Sequence, residues 1–154
     1  MTRWLDPDEQ RTWRAFLAAS RALMTTLDRE LQHDAGMPHA YYEILVRLSE
    51  VPGQTLRMSE LAEATGSSRS RLSHAVARLE ESGWVRREEC PTDRRGQLAV
   101  LTEAGLAALS AAAPGHVQGV RQHLFDQLSP VQLTQLREIS EALLHHLEPD
   151  RPTS

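Results

Sequence analysis

Residues 59–101 read SELAEATGSSRSRLSHAVARLEESGWVRREECPTDRRGQLAVL, and the order of patterns in this stretch decides the fold. One helical segment ends at Gly66, and a second runs from 68 to 82 and stops at Gly83. The apolar period then changes from three-four to two. Residues 84–90 and 97–101 read as two short strands around a polar loop, 91–96. A helix-turn-helix needs a small residue in its first helix for close crossing, a residue tolerant of positive φ in the turn, and an apolar anchor in the second helix. Ala62, Gly66 and Leu72 meet these needs in the spacing Ala-x3-Gly-x5-Leu.

The second helix divides into two faces. Leu72, Ala75, Val76 and Leu79 form an i, i+3, i+4, i+7 stripe that reads as buried. Ser70, Ser73, His74 and Ala77 lie roughly opposite, with Arg71 and Arg78 along one flank and Arg69 near the N-terminal end. Short side chains let a helix sink into a major groove, where arginine can bridge guanine O6 and N7. Hydroxyls and a helix N-terminus can also hold phosphate. A solvated Ser/Arg-rich face fits the same wheel.

Charge shifts the balance between these alternatives. The chain has 17 arginines and no lysine against 21 acids, a formal charge of -4. Between Arg69 and Arg95 lie 7 arginines and 5 acids, +2, which leaves -6 elsewhere. Positive charge is therefore concentrated on the second helix and the hairpin. The acidic total argues against indiscriminate coating of nucleic acid, which rests on phosphate neutralisation. Asp93-Arg94-Arg95-Gly96 is expected at the hairpin tip, where two guanidinium groups on a narrow turn could enter a minor groove, with a solvated charged tip as the alternative.

Outside this stretch the chain reads as helical. Asp6-Pro7-Asp8-Glu9 carries a cap, a first-position proline and an acidic first turn, opening a helix over about 7–34. A second helix spans about 39–50, and the third begins after Ser59. Thr102 caps a further helix that Pro114-Gly115 should kink or break. Ser129-Pro130-Val131-Gln132 opens the last, with Leu133, Leu136, Ser140, Leu143 and Leu147 as a packing seam. From Pro149 onward a frayed tail is expected.

Asp93-x-Arg95, followed by Ala99-x-Leu101-Thr102-x-x-Gly105, resembles the wing signature of the MarR (multiple antibiotic resistance regulator) family. Met58-Ser59-Glu60-Leu61-Ala62 and Leu79-Glu80-Glu81-Ser82-Gly83-Trp84-Val85 are similar to that family's helix-turn-helix flanks. The likeness covers residues 56–105 closely. Ala99 departs from it, since a larger aliphatic residue is usual there, and should loosen the hairpin packing.

The resemblance implies a mainly α fold with a small β-hairpin, a winged helix-turn-helix with long N- and C-terminal dimerisation helices. As one domain over 1–154, it would assign 1–36 and 106–148 to dimerisation and 54–105 to DNA binding. It implies a cytoplasmic, homodimeric transcriptional regulator, a repressor, on a pseudo-palindromic double-stranded DNA operator. By position, Ser67, Ser68, Arg69, Ser70, Arg71, Ser73 and His74 would face the major groove, with Arg78 on the flank. Arg95 would enter the minor groove, Asp93 would hold it, and Arg94 would touch backbone. The long apolar terminal helices independently favour a partner subunit. A winged-helix module that binds protein instead of DNA remains the alternative, and the clustered arginines weigh against it.

A small-molecule effector is a further expectation of the resemblance. Trp13, Phe16, His39, Tyr41 and Tyr42 could wall its pocket, although aromatics at helical spacing also serve as core or interface. Cys90, the single cysteine, excludes an internal disulfide and reads as inert. His116, His123, His145 and His146 show no zinc-ligand spacing, so neither metal nor cofactor is expected. The N-terminal residues lack a signal-peptide apolar core, and residues 104–120, the longest uncharged run, are interrupted by Pro114 and Gly115. No membrane association is expected. No enzyme is expected either: there is no His-Glu-x-x-His, phosphate-binding glycine loop, Gly-x-Ser-x-Gly elbow or catalytic lysine.

Overall fold

The computed structural model describes residues 1–151 and, of Arg94, the backbone alone. Residues 152–154, at the end of the expected frayed tail, lie outside the described residues. The chain divides into two compact units, Met1–Val117 and Gln118–Ser154.

The first unit opens with α1 (Pro7–Ala35). The Asp6 carboxylate accepts from the backbone N–H groups of Asp8 and Glu9 at 2.9 and 2.8 Å, and Glu9 accepts from Asp6 N–H at 2.9 Å. This reciprocal cap satisfies donors that a helix start leaves open. Gly36, at φ +65°, ends the helix, and the Asp28 carboxylate then takes the His39 N–H at 2.8 Å to fix the entry into α2 (His39–Ser49). Tyr42, Ile44, Leu45 and Leu48 of α2 are buried.

The three short elements that follow are β1 (Thr55–Arg57), α3 (Met58–Thr65) and α4 (Arg69–Glu81). The turn between the two helices contains Gly66 in the left-handed region, at φ +63°. Ala62 and Leu72 are buried on either side of it, as the helix-turn-helix spacing requires. The predicted stripe Leu72, Ala75, Val76 and Leu79 is buried throughout and joins α2 and Leu61 in one core. Ser68 caps α4 by accepting the Arg71 N–H at 3.2 Å. Ser68→Ala is expected to destabilise the protein by about 1 kcal/mol in urea denaturation, leaving the helix with one open donor.

The hairpin is longer and tighter than its sequence suggests. Strands β2 (Val85–Cys90) and β3 (Asp93–Leu101) meet at a two-residue turn, Pro91-Thr92, where a loop over 91–96 was expected. Strand β1 pairs with the far edge of β3, Thr55 opposite Val100 and Arg57 opposite Leu98, so the hairpin belongs to a three-stranded antiparallel sheet ordered β1-β3-β2. Ala99 is fully buried in the central strand, opposite Leu56 on one side and Arg87 on the other.

Helix α5 (Glu103–His123) begins where Thr102 Oγ1 accepts the Gly105 N–H at 3.0 Å. It is continuous through Pro114, so of the expected kink or break the break does not occur. Proline withholds one helical donor, and the alanines at 107, 108 and 111–113 supply strong helix-forming residues just before it. The second unit holds the end of α5, a short 3-10 turn at Phe125–Gln127, and α6 (Pro130–Leu147). Ser129 and Gln132 cap α6 reciprocally, as their spacing predicts. Among the described residues, no helix is long and apolar enough to cross a membrane.

Candidate nucleic-acid interface

With one face of α4 in the core, the other is left to solvent. Arg69, Ser70, Arg71 and His74 are exposed, while Ser67, Ser73 and Ala77 are half-buried. Ser68 sits exposed at the cap, its hydroxyl engaged with the helix start. Arg78 is exposed too, but its guanidinium pairs with Glu81 at 3.1 Å. The face opposite the apolar stripe is thus a shallow row of hydroxyls, an imidazole and an alanine, with guanidinium groups at its N-terminal end.

The hairpin presents its arginines by a register slip. Glu89 pairs with Gln97, but the next residue, Cys90, pairs with Asp93. One step on β2 therefore spans four on β3, and residues 94–96 bulge from the ladder. Asp93 caps the bulge by accepting the Arg95 N–H on its carboxylate at 3.0 Å, and Arg95 is exposed. Asp93 thus holds the backbone of Arg95. Arg95 sits on the β3 side of the hairpin, and Pro91-Thr92 forms its tip. The Arg94 side chain lies outside the described residues.

Between the start of α4 and this bulge lies an open cleft of about 550 Å3, lined by Arg57, Ser59, Arg69, Ser73, Asp93 and Arg95 among others. Not every arginine of the cluster is available to it. Arg78 is held by Glu81, Arg86 by Glu88 at 2.7 Å, and Arg87 by contacts described below. Among the described residues, no hydrogen bond or ion pair engages the guanidinium groups of Arg69, Arg71 or Arg95. The positive charge read from the sequence is therefore offered by fewer arginines than the count suggests; Arg69 and Arg95 line the cleft, and Arg71 is exposed on α4. Arg57, which the sequence reading left out, borders it as well and donates to Thr92 Oγ1 at 3.0 Å.

The aromatic residues do not assemble into one pocket within the chain. Trp13 and Phe16 contact each other, with ring centroids 6.5 Å apart, and both are about half exposed. His39 and Tyr42 pair at 6.4 Å, and half-buried Tyr41 packs at the edge of the core. The Asp28 carboxylate that anchors His39 lies twelve residues along α1 from Phe16, about 18 Å of helix axis. The residue that does join the His39–Tyr42 pair is His116 of α5, at 5.4 Å from His39 and 4.5 Å from Tyr42. Burial raises the Tyr42 phenol above its ordinary value. His116 is pushed down by burial and by His39, with Glu30 opposing. The cavity beside it, bordered by Leu27, Leu31, Ala112 and Gly115, has a volume of about 60 Å3, far below the size of a drug-like site.

Cys90 is buried, with Sγ 3.3 Å from Thr92 Oγ1. Hydrogen bonds from the Thr92 side chain and backbone hold the thiol below its ordinary value, against an opposing contribution from burial. Among the described residues, no three His, Cys, Asp or Glu side chains converge as a metal site would.

Comparison with known proteins agrees with this architecture. A MarR family profile matches residues 35–96. The transcriptional repressor MprA of Escherichia coli (strain K12) is 32% identical over 113 residues, 73% of this chain and 64% of that protein, so the match spans less than two thirds of its length. Two solved Streptomyces coelicolor structures extend the likeness to nearly the whole chain. AbsC, a MarR family transcriptional regulator, is 47% identical with a TM-score of 0.90, covering 97% of this chain and 100% of that one. Sco3205, a MarR family transcriptional regulator whose crystal structure is a complex with DNA, is 53% identical with a TM-score of 0.94, covering 97% of this chain and 94% of its own. Sequence identity of that extent, on the same winged helix-turn-helix, leaves one assignment: the chain belongs to the MarR family of transcriptional regulators.

Proposed function

We propose that this protein is a cytoplasmic DNA-binding transcriptional repressor, without enzymatic activity, that binds a pseudo-palindromic operator as a homodimer. The observation that carries the reading is the cleft between the start of α4 and the bulge of β3, lined by Arg69 and Arg95, whose guanidinium groups have no partner among the described residues. A helix with a shallow polar face enters a major groove, and an arginine on a projecting hairpin reaches the adjacent minor groove. Ser67 to Arg71, Ser73 and His74 then contact bases and phosphates along one groove wall, with Arg78 exchanging its exposed Glu81 pair for a phosphate at the flank. Arg95 occupies the next groove, with Asp93 fixing its backbone. The likeness to a relative crystallised with DNA supports this use of the fold.

The terminal helices support the dimer. Along α1, Leu31 and Leu27 are buried, yet the same stripe continues through Met24 to Phe16 and Trp13 as exposed apolar surface. In α6, Val131, Ile139, Leu143 and Leu147 are exposed and no residue is buried. Such faces call for a partner of the same kind. In this scheme 54–105 is the DNA-binding part and 1–36 with 106–148 the dimerisation part. An effector site built from Trp13, Phe16, His39, Tyr41 and Tyr42 would need the second subunit to bring the first two residues to the others.

Selection from a randomised 30-base-pair duplex pool tests the proposal, together with molar mass by light scattering. The expected result is an enriched two-fold motif with half-sites about one helical turn apart, bound by a species of twice 17.3 kDa. An intact dimer that retains no duplex at low salt would overturn the DNA reading in favour of a protein-binding module. A monomer at micromolar concentration would overturn the dimer.

A further inference from the structure

Arg87 is counted among the basic residues of the hairpin, but its surroundings differ from those of its neighbours. Its side chain is only 23% exposed, against 54% for Arg78 and 56% for Arg86. One terminal nitrogen donates to the Ser73 carbonyl of α4 at 2.7 Å, and the other donates to Gln97 Oε1 of β3 at 3.4 Å. Its backbone N–H donates to Glu80 Oε2 of α4 at 3.2 Å. Its Nε is buried without a hydrogen-bond partner, 3.9 Å from Glu80 Oε1. A single residue of β2 is thus tied to two points on α4, seven residues apart, and to one on β3.

Those anchors sit at the edge of the proposed interface. Ser73 lies on the polar face of α4 and lines the cleft. Gln97 is the last paired residue before the bulge that carries Arg95. Lysine could donate to Ser73, but its point-like ammonium could not span to Gln97, whereas the planar guanidinium reaches both from fixed directions. We propose that Arg87 is a positioning residue that sets the angle between the helix face and the wing, a determinant of operator specificity that touches no phosphate itself.

This rests on the DNA-binding reading above, and the test separates the two. Arg87→Met, Arg87→Lys and Gln97→Ala are compared with the wild type on the duplex enriched by wild-type selection and on a scrambled duplex. Affinities are read by fluorescence anisotropy between 50 and 300 mM salt, with thermal melts alongside. Arg87→Met is expected to weaken binding to the enriched duplex about tenfold while changing scrambled-duplex affinity little, so that discrimination falls. The log–log salt slope should stay at the wild-type value, whereas loss of a phosphate contact would reduce it by about one. Arg87→Lys should recover little of the loss. Gln97→Ala should lower discrimination in the same direction and add nothing in the Arg87→Met background, since the two act as one unit.

A reduced slope with equal losses on both duplexes would make Arg87 a phosphate contact and overturn the proposal. Unchanged discrimination in both Arg87→Met and Gln97→Ala would also overturn it. If Arg87→Met fails to fold, the exposed Gln97→Ala carries the test alone. If the wild type enriches no sequence, the DNA reading falls and this proposal with it.

Discussion

Gly105→Ala is expected to destabilise the protein by about 3 kcal/mol and to lower its melting temperature by roughly 10 °C. The reason is a close approach, and backbone freedom plays no part. A Cβ at this position would overlap the Trp84 carbonyl oxygen and lie 2.8 Å from Leu101 Cδ1. The Trp84 carbonyl cannot simply retreat, because it accepts the Thr102 N–H at 3.1 Å. Thr102 in turn donates its hydroxyl to the Gly83 carbonyl at 2.6 Å while accepting from Gly105 N–H. An added methyl group therefore pushes on backbone that three hydrogen bonds already fix. Gly115 gives the contrast within the same helix, since a Cβ there meets nothing within 4 Å. Gly115→Ala should be neutral or stabilising by up to about 1 kcal/mol. Equal melting temperatures for the two variants would show that the start of α5 does not pack on Trp84 as described.

Arg95→Ala should weaken binding to the selected duplex by about 1–3 kcal/mol, roughly five- to 150-fold. The guanidinium is exposed and makes no intrachain hydrogen bond or ion pair among the described residues, so truncation removes only what it contributes to DNA. Stability should change by less than about 0.5 kcal/mol, as for an ordinary surface substitution. That separation of affinity from stability distinguishes Arg95 from Arg87, whose loss acts through the fold. An anisotropy titration beside a urea melt reads both quantities. Unchanged affinity would move the wing off the DNA.

The parts of this structure legible in the sequence are those set by neighbours within a turn or two. The caps at Asp6, Thr102 and Ser129, the turn at Gly66 and the buried stripe of α4 all follow from spacings of three or four residues. Strand β1 was missed because three half-buried residues show no alternation, and their partner on β3 lies more than forty positions away. The hairpin loop was overextended because Pro91, Asp93 and Gly96 each carry a turn signal, although the reversal uses only two residues. The slip that displaces 94–96 depends on where Gln97 pairs, which no local pattern fixes. Arg87 looked like one more surface cation because its defining partner, the Ser73 carbonyl, is a backbone group brought near by tertiary packing. His116 joins Tyr42 for the same kind of reason, across more than seventy residues of chain. At Pro114 the local signal allowed a break that the helix formers around it do not permit.

The slip in β3 also bears on how mismatches are scored. Residues 94–96 have no ladder partners, and Asp93 accepts the Arg95 N–H, so this part of the wing should open at a lower free energy than the paired rungs of the sheet. On a duplex whose groove accepts Arg95, the contact must offset the entropy of ordering these residues. On a duplex whose groove rejects Arg95, the wing keeps that entropy, and the loss is partly refunded. Helix α4, already rigid in the core, has no such recovery. Base changes beneath the helix should therefore be punished in full, and those beneath the wing only in part, giving an operator with a strict centre to each half-site and tolerant flanks.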